Sequence, residues 1–133
     1  MSATVDGCYG AASVTGGSYS SGKVGGLIGY TYSAADVSNC YVTGEVTSKG
    51  AAAGALGYFS TSSSNKVTLT NCYAACDVGG SASYRYPFAY IYSNYLTATN
   101  CLYESGRESN KDNTQSGITA ASADELTAAA GTL

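Results

Sequence analysis

Histidine and tryptophan are absent from this chain, proline occurs once, and only six basic and nine acidic residues are spread over its 133 positions. Each shortage removes a class of function. Without histidine, a nucleophile would need a lysine, a carboxylate or a metal to activate it, and zinc loses its commonest nitrogen ligand. The basic residues (Lys23, Lys49, Lys66, Arg85, Arg107, Lys111) stand singly in a chain of net charge −3, so no basic face exists to neutralise nucleic-acid phosphates. No apolar run approaches the roughly 20 residues that span a bilayer. The opening MSATVDG has neither the basic start nor the apolar stretch of a signal peptide. The expectation is a non-enzyme with no cofactor, no bound metal, no nucleic-acid partner and no membrane insertion.

What is present is glycine and tyrosine, 17 and 13 of them. Low charge with little leucine or isoleucine would point to disorder, but disordered chains also lack aromatic and β-branched residues. Here tyrosines and valines return at fixed positions, which points to β structure in a chain long enough for one domain with a real core.

The recurrence is a repeat. Gly7-Cys8-Tyr9, Asn39-Cys40-Tyr41, Asn71-Cys72-Tyr73 and Asn100-Cys101-Leu102 mark four starts, 32, 32 and 29 residues apart. Val14, Val46 and Val78 each follow six residues after a cysteine. A second block follows: Gly25-Gly26-Leu27-Ile28-Gly29-Tyr30, then Ala53-Gly54-Ala55-Leu56-Gly57-Tyr58, then Arg85-Tyr86-Pro87-Phe88-Ala89-Tyr90. The first copy carries extra residues around Gly16 to Gly22, as an insertion in a loop would. About three and a half copies of a roughly 30-residue unit account for most of the chain.

Within each copy the positions alternate. Cys40, Val42, Gly44 and Val46 are small or apolar, and Tyr41, Thr43 and Glu45 fall between them, giving a strand with one face inward. Asn or Gly before each cysteine marks a corner, because both tolerate a left-handed backbone. A third short strand precedes the corner, through Val37, Val67 to Leu69, and Leu96 to Ala98. Such units cannot bury a face alone and must stack. The predicted fold is all-β: a parallel β-solenoid of about three to four rungs, roughly 15 to 20 Å tall, with a short C-terminal capping helix. Its repeats cover residues 1–104 (approximately 5–35, 36–66, 67–95 and 96–104), followed by a polar loop or linker at 105–115 and a C-terminal segment at 116–133.

These residues resemble the GLUG-type repeat of bacterial cell-surface proteins, which runs Asn-Cys-Tyr-Ala-Thr-Gly-x-Val, a variable loop, then Val-Gly-Gly-Leu-Val-Gly. Asn39-Cys40-Tyr41-Val42-Thr43-Gly44-Glu45-Val46 and Val24-Gly25-Gly26-Leu27-Ile28-Gly29 carry the likeness. Residues 67–92 follow it more loosely, with Tyr-Pro-Phe-Ala-Tyr in place of the glycine-rich block. The resemblance implies a piece of a larger extracellular or wall-associated protein, without catalytic residues.

The tail reads consistently with this. Ser122 and Glu125 have capping-box spacing, which predicts a helix from about Ala123 to Ala130 whose Leu126, Ala129 and Ala130 cover the last rung. Cys8, Cys40, Cys72 and Cys101 read as an interior ladder beside the asparagine corner of Asn39, Asn71 and Asn100, where repetition at one core position favours packing over metal or bridges. Neighbouring rungs bring the Cα atoms within disulfide range, which leaves bridges open. Cys72 and Cys76 lie about 13 Å apart along one strand, too far to bridge. Glu45 and Asp77 stack on the outer face, where two carboxylates alone make a poor Ca²⁺ site.

Tyrosine is the functional hint. Tyr9, Tyr41 and Tyr73 form one outward ladder, and Tyr30, Tyr58 and Tyr90 another, with Tyr32 beside it. The strip Tyr84, Tyr86, Phe88, Tyr90 and Tyr92, extended by Tyr58 and Tyr30, is a candidate ligand or interface surface. Cross-strand aromatic pairs stabilise a sheet by themselves, and an exposed strip also suits glycan stacking. The reading is a non-catalytic structural or adhesive module that stacks on itself end to end into fibres or on neighbouring domains. The alternative is a carbohydrate-binding module using the tyrosine strip.

Overall fold

A left-handed residue at the same place in every coil sets the geometry. In the computed structural model, which describes residues 2–60, 62–91 and 95–133, Asn39, Asn71 and Asn100 have φ of 53, 52 and 51°, and Gly7 takes the corresponding place at 64°. Few other residue types hold this backbone cheaply, and it swings the chain from one strand into the next.

The first coil comprises β1 (Ser2–Asp6), the Gly7 corner, β2 (Tyr9–Thr15) and β3 (Lys23–Gly25). The second is β4 (Ala34–Ser38), β5 (Tyr41–Thr47), β6 (Ala51–Ala53) and β7 (Leu56–Phe59). The third is β8 (Val67–Thr70), β9 (Tyr73–Gly79), β10 (Tyr84–Tyr86) and β11 (Ala89–Ile91). A partial fourth is β12 (Leu96–Thr99) and β13 (Cys101–Glu104), after which come β14 (Ile118–Ala121) and helix α1 (Ala123–Ala130). Residues 16–22 form the loop between β2 and β3, against residues 48–50 between β5 and β6, so the extra residues of the first copy lie in this loop.

Equivalent strands pair side by side in four sheets, ordered β1-β4-β8-β12, β14-β13-β9-β5-β2, β10-β6-β3 and β11-β7, and the strand pairings are parallel. The chain is a parallel β-solenoid of about three turns. The register is the one the repeat predicts: Val14 faces Val46 and Val46 faces Val78. The strand expected before each corner is present as β4, β8 and β12.

The interior is filled by residues of matching rungs, with Val37, Leu69, Val46, Val78, Leu56, Phe59 and Phe88 almost wholly buried. Successive coils trade volume at one level. Leu27 lies under Ala55 and Ala55 under Phe88, while Ile28 pairs with Leu56 and Leu56 with Ala89. Alternating large and small residues lets the layers interdigitate at core density. Phe88, read from the sequence as part of the surface strip, is therefore a core residue: it takes the level of Leu27 and Ala55 and faces inward.

The helix forms where expected, with Ser122 and Glu125 satisfying each other's backbone amides in a capping box. Its position differs from expectation. Because β14 extends the β13 sheet by one strand, the chain leaves Ala121 at the flank of the stack, and α1 folds back over the outer face of β9 and β13. Leu126 packs there with Tyr73, Ala75 and Ala121, so Tyr73 is buried and Tyr41 half-buried. The Tyr9-Tyr41-Tyr73 ladder faces out from the coil, yet only Tyr9 stays fully exposed.

Candidate functional site: two unlike ends and a tyrosine face

At the C-terminal end of the stack the polar segment that the sequence presents as a linker covers the edges of β9, β10 and β11, while β12 and β14 stay outermost in their sheets. Residues 105–117 cross over the last complete coil and satisfy its free backbone edge. Val78 N–H donates to Glu108 O at 2.7 Å, and the Arg85 N–H donates to Asn110 Oδ1 at 2.8 Å. The Asn110 and Lys111 amides donate back to Arg85 O. Asn113 is the centre of this seal. It is buried, its Oδ1 accepts from the Phe88 and Ala89 amides, and its Nδ2 donates to Ala89 O at 2.7 Å, so one side chain stands in for an absent strand. Farther along, Gly117 (φ 86°) lies so close to Ala98 O that a Cβ would collide with it.

Charge reinforces the seal. Arg85 lies level with the inward-facing Val24 and Ala52, and its guanidinium reaches Glu108 at 3.0 Å and Val78 O at 3.4 Å. Arg107 pairs with Asp77 and Glu104, and Asp77 also accepts from the Glu108 amide. Among the described residues these are the ion pairs, and all of them involve this segment. Asp77 lies level with Glu45 on the neighbouring strand, as the repeat predicts, and its charge is met there by Arg107.

The N-terminal end is open among the described residues, where strands β1, β2 and β3 pair on one side only. Val5, Val24, Leu27 and Ile28 pack against the core but are only partly buried. At the corner the asparagines form a ladder: Asn100 donates to Asn71 at 2.9 Å, Asn71 to Asn39 at 3.1 Å, and Asn39 to the Asp6 carboxylate at 2.9 Å. With Gly7 in the first coil, Asp6 ends the ladder, and hydrogen bonds from Ser38 and Asn39 hold its pKa below the ordinary aspartate value. A cavity of about 280 Å³ beside this corner is lined by Gly7, Cys8, Tyr9, Asn39, Tyr41 and Leu133.

All five cysteines are free. Cys40, Cys72 and Cys101 each donate to the carbonyl two residues back, across the corner, and are buried. Burial pushes Cys40 and Cys76 up to about 11, and the neighbouring Cys101 thiol together with burial raises Cys72. Cys8 makes the same contact with Asp6 O but is exposed, contrary to its place in an interior ladder, because among the described residues β2 is packed against a neighbouring strand on its β5 side only. Among the described residues no group of three acidic or cysteine side chains could hold a metal ion, and no helix is long and apolar enough to cross a membrane.

The tyrosine face lies over the β10-β6-β3 and β11-β7 sheets. Tyr30 stacks on Tyr58 with ring centres 5.3 Å apart, Tyr58 meets Tyr90 edge-on at 5.1 Å, and Tyr90 stacks with Tyr84 at 5.4 Å and Tyr86 at 5.1 Å. Tyr32 sits edge-on to Tyr30, and hydrogen bonding with Tyr32 raises the Tyr30 pKa. Burial raises Tyr86. Of the residues assigned to this strip, Tyr30, Tyr58, Tyr84, Tyr86 and Tyr90 come together, Phe88 is inside the core, and Tyr92 lies outside the described residues. Lysines join the face: Lys23 Nζ is 5.2 Å from the Tyr58 ring centre, and Lys111 Nζ is 5.6 Å from that of Tyr84.

Sequence reading missed the sealing residues, Arg85, Glu108, Asn110 and Asn113. Nothing in Ser-Asn-Lys-Asp-Asn distinguishes a cap from a solvated loop.

A repeat-built parallel solenoid with one end partly sealed by its own chain, and the other unpaired among the described residues, is the class these features define. Residues 20–47 match the family model described as the GLUG motif. The matched segment runs from the Gly25-Gly26-Leu27-Ile28-Gly29 block through the Asn39 corner and along β5 to Thr47, so it contains the turn and strand that build every coil. No curated protein and no solved structure matches the chain.

Proposed function

We propose that this chain is a non-catalytic structural module of a surface-exposed protein, which accepts a further solenoid coil on its N-terminal edge and ends the stack at its C-terminal one. The unlike treatment of the two ends carries this reading. An unpaired parallel edge over partly exposed apolar side chains is a template for another strand, whereas an edge already bonded to Asn113 and Glu108 is not. An open filament needs two complementary ends. With the edges of β9, β10 and β11 occupied at one end, self-association through a full set of strand edges stops at a head-to-head pair. The GLUG resemblance supports the surface location.

The test is to fuse a copy of residues 34–66 ahead of Ser2. An accepted coil raises the urea midpoint and the m-value together and protects Cys8 from thiol reagents. An unchanged midpoint with Cys8 still reactive overturns the reading. Sedimentation of the unfused chain checks the pairing limit: mass rises to twice that of the monomer and no further, and Ala3→Lys, an inward charge on the open edge, abolishes the rise.

A second reading has its own observation. Tyr84, at 47% exposed, stacks parallel to Tyr90 beside a hollow in the tyrosine face, which suits a saccharide ring. On this reading the module is adhesive through glycans, and Tyr84→Ala weakens saturable binding.

A further inference from the structure

The hollow beside Tyr84 has a cause in the register. Lys23, Ala51 and Tyr84 lie level on three neighbouring strands. Strands are about 4.8 Å apart, so Lys23 and Tyr84 are separated by roughly 10 Å with only a methyl group between them. The resulting cleft has a volume of about 190 Å³ and is lined by Lys23, Lys49, Tyr84 and Tyr90, with Ser20 and Ser83 at its margins. That space matches one sugar ring rather than a drug-sized ligand, for which pockets begin at about 300 Å³.

The charge at this cleft is unlike that of the rest of the molecule. The chain is acidic overall. Arg85 and Arg107 have carboxylate partners at the sealed end. Lys23 and Lys49 form no ion pair among the described residues, and Lys23 instead lies over the Tyr58 and Tyr90 rings. Lys111 flanks the opposite side over Tyr84. Ammonium groups with no carboxylate partner among the described residues, beside stacked phenol rings and with serine hydroxyls at the rim, complement a ligand that has a flat apolar face and a negative charge.

We propose that this cleft binds an anionic saccharide: the sugar ring packs on Tyr84 and Tyr90, and its carboxylate or sulfate is met by Lys23 and Lys49. The inference rests on the glycan reading and adds the charge that the ligand must carry.

Three probes separate the possibilities by calorimetry at low salt: oligogalacturonate, its fully methyl-esterified form, and a carrageenan oligosaccharide, which carries sulfate without carboxylate. The expected result is saturable binding of an anionic sugar, with the carboxylated and sulfated probes distinguishing the two sources of charge. The methyl ester binds at least about tenfold more weakly, the loss expected when charge-assisted hydrogen bonds disappear. Lys49→Gln, an exposed position, and the double variant Lys23→Gln/Lys49→Gln each weaken the acid and leave the ester unchanged. Equal affinity for acid and ester overturns the anionic proposal while sustaining the glycan reading. Binding of polyanions that survives Tyr84→Ala overturns the cleft as the site. No binding of any probe overturns both. Far-UV circular dichroism of each variant confirms that the coil is intact.

Discussion

The two ends of this solenoid are made from the same repeat and face opposite problems. At the N-terminal end the first coil leaves its strand edges, Cys8 and the lower side of Val5, Leu27 and Ile28 without a covering layer among the described residues. At the C-terminal end the chain returns across the last coil. The Asn113 amide, the Asn110 side chain and the Glu108 carbonyl then take the place of a neighbouring strand. The difference teaches that edge protection in a stack of identical coils comes from a segment outside the repeat, because a coil that could seal itself would also refuse its neighbour. It also shows how compact such a seal can be. One buried asparagine satisfies two amides and a carbonyl.

That comparison can be broken at its sealed side with the largest effect. Asn113→Ala leaves two buried amides and a carbonyl without partners and is expected to cost about 3 kcal/mol in urea unfolding, with hydrogen exchange at Phe88 and Ala89 accelerating. A loss no greater than that of Asn110→Ala, whose side chain is exposed, would show that the seal does not depend on it. Leu126→Ala tests whether the helix belongs to either end. It is expected to cost about 2 to 3 kcal/mol and to expose Tyr73, while exchange at Phe88 and Ala89 stays slow. Faster exchange there would tie the helix to the seal after all.

Smaller effects sharpen the contrast along the corner. Asn71→Ala, in the middle of the ladder, loses hydrogen bonds and strains a left-handed backbone, for a cost of about 2 kcal/mol. Asn71→Gly keeps the backbone and should cost about half of that. At the open end Gly7→Asn meets no neighbouring atom and should be neutral or stabilising by a few tenths of a kcal/mol. If it destabilises as much as Asn71→Ala, the corner of the first coil is not equivalent to those of the later coils.

The smallest effect is that of pH on Asp6. Its folded pKa is depressed by Ser38 and Asn39, so its contribution is complete above the ordinary value of 3.8 and is lost as pH falls through the depressed one. An NMR titration should place its midpoint below 3.8. A midpoint at or above that value would mean that the ladder does not end on this carboxylate.

The sequence by itself determined everything that recurs. The asparagine corner, the six-residue spacing from cysteine to valine, the inward alternation and the parallel register are local patterns printed several times, and the capping box needs only Ser122 and Glu125. Tertiary structure decided whatever happens once. Whether Ser109 to Asn113 is linker or seal depends on which backbone edge lacks a partner, and that edge exists only after stacking. Tyr73 and Tyr9 carry the same pattern, yet a helix from the far end of the chain covers one and leaves the other in solvent. Phe88 occupies an aromatic run but turns inward because the coils below offer Ala55 and Leu27 at its level. Periodicity fixes the directions of side chains within a coil, while burial depends on what lies above and below, which no single repeat contains.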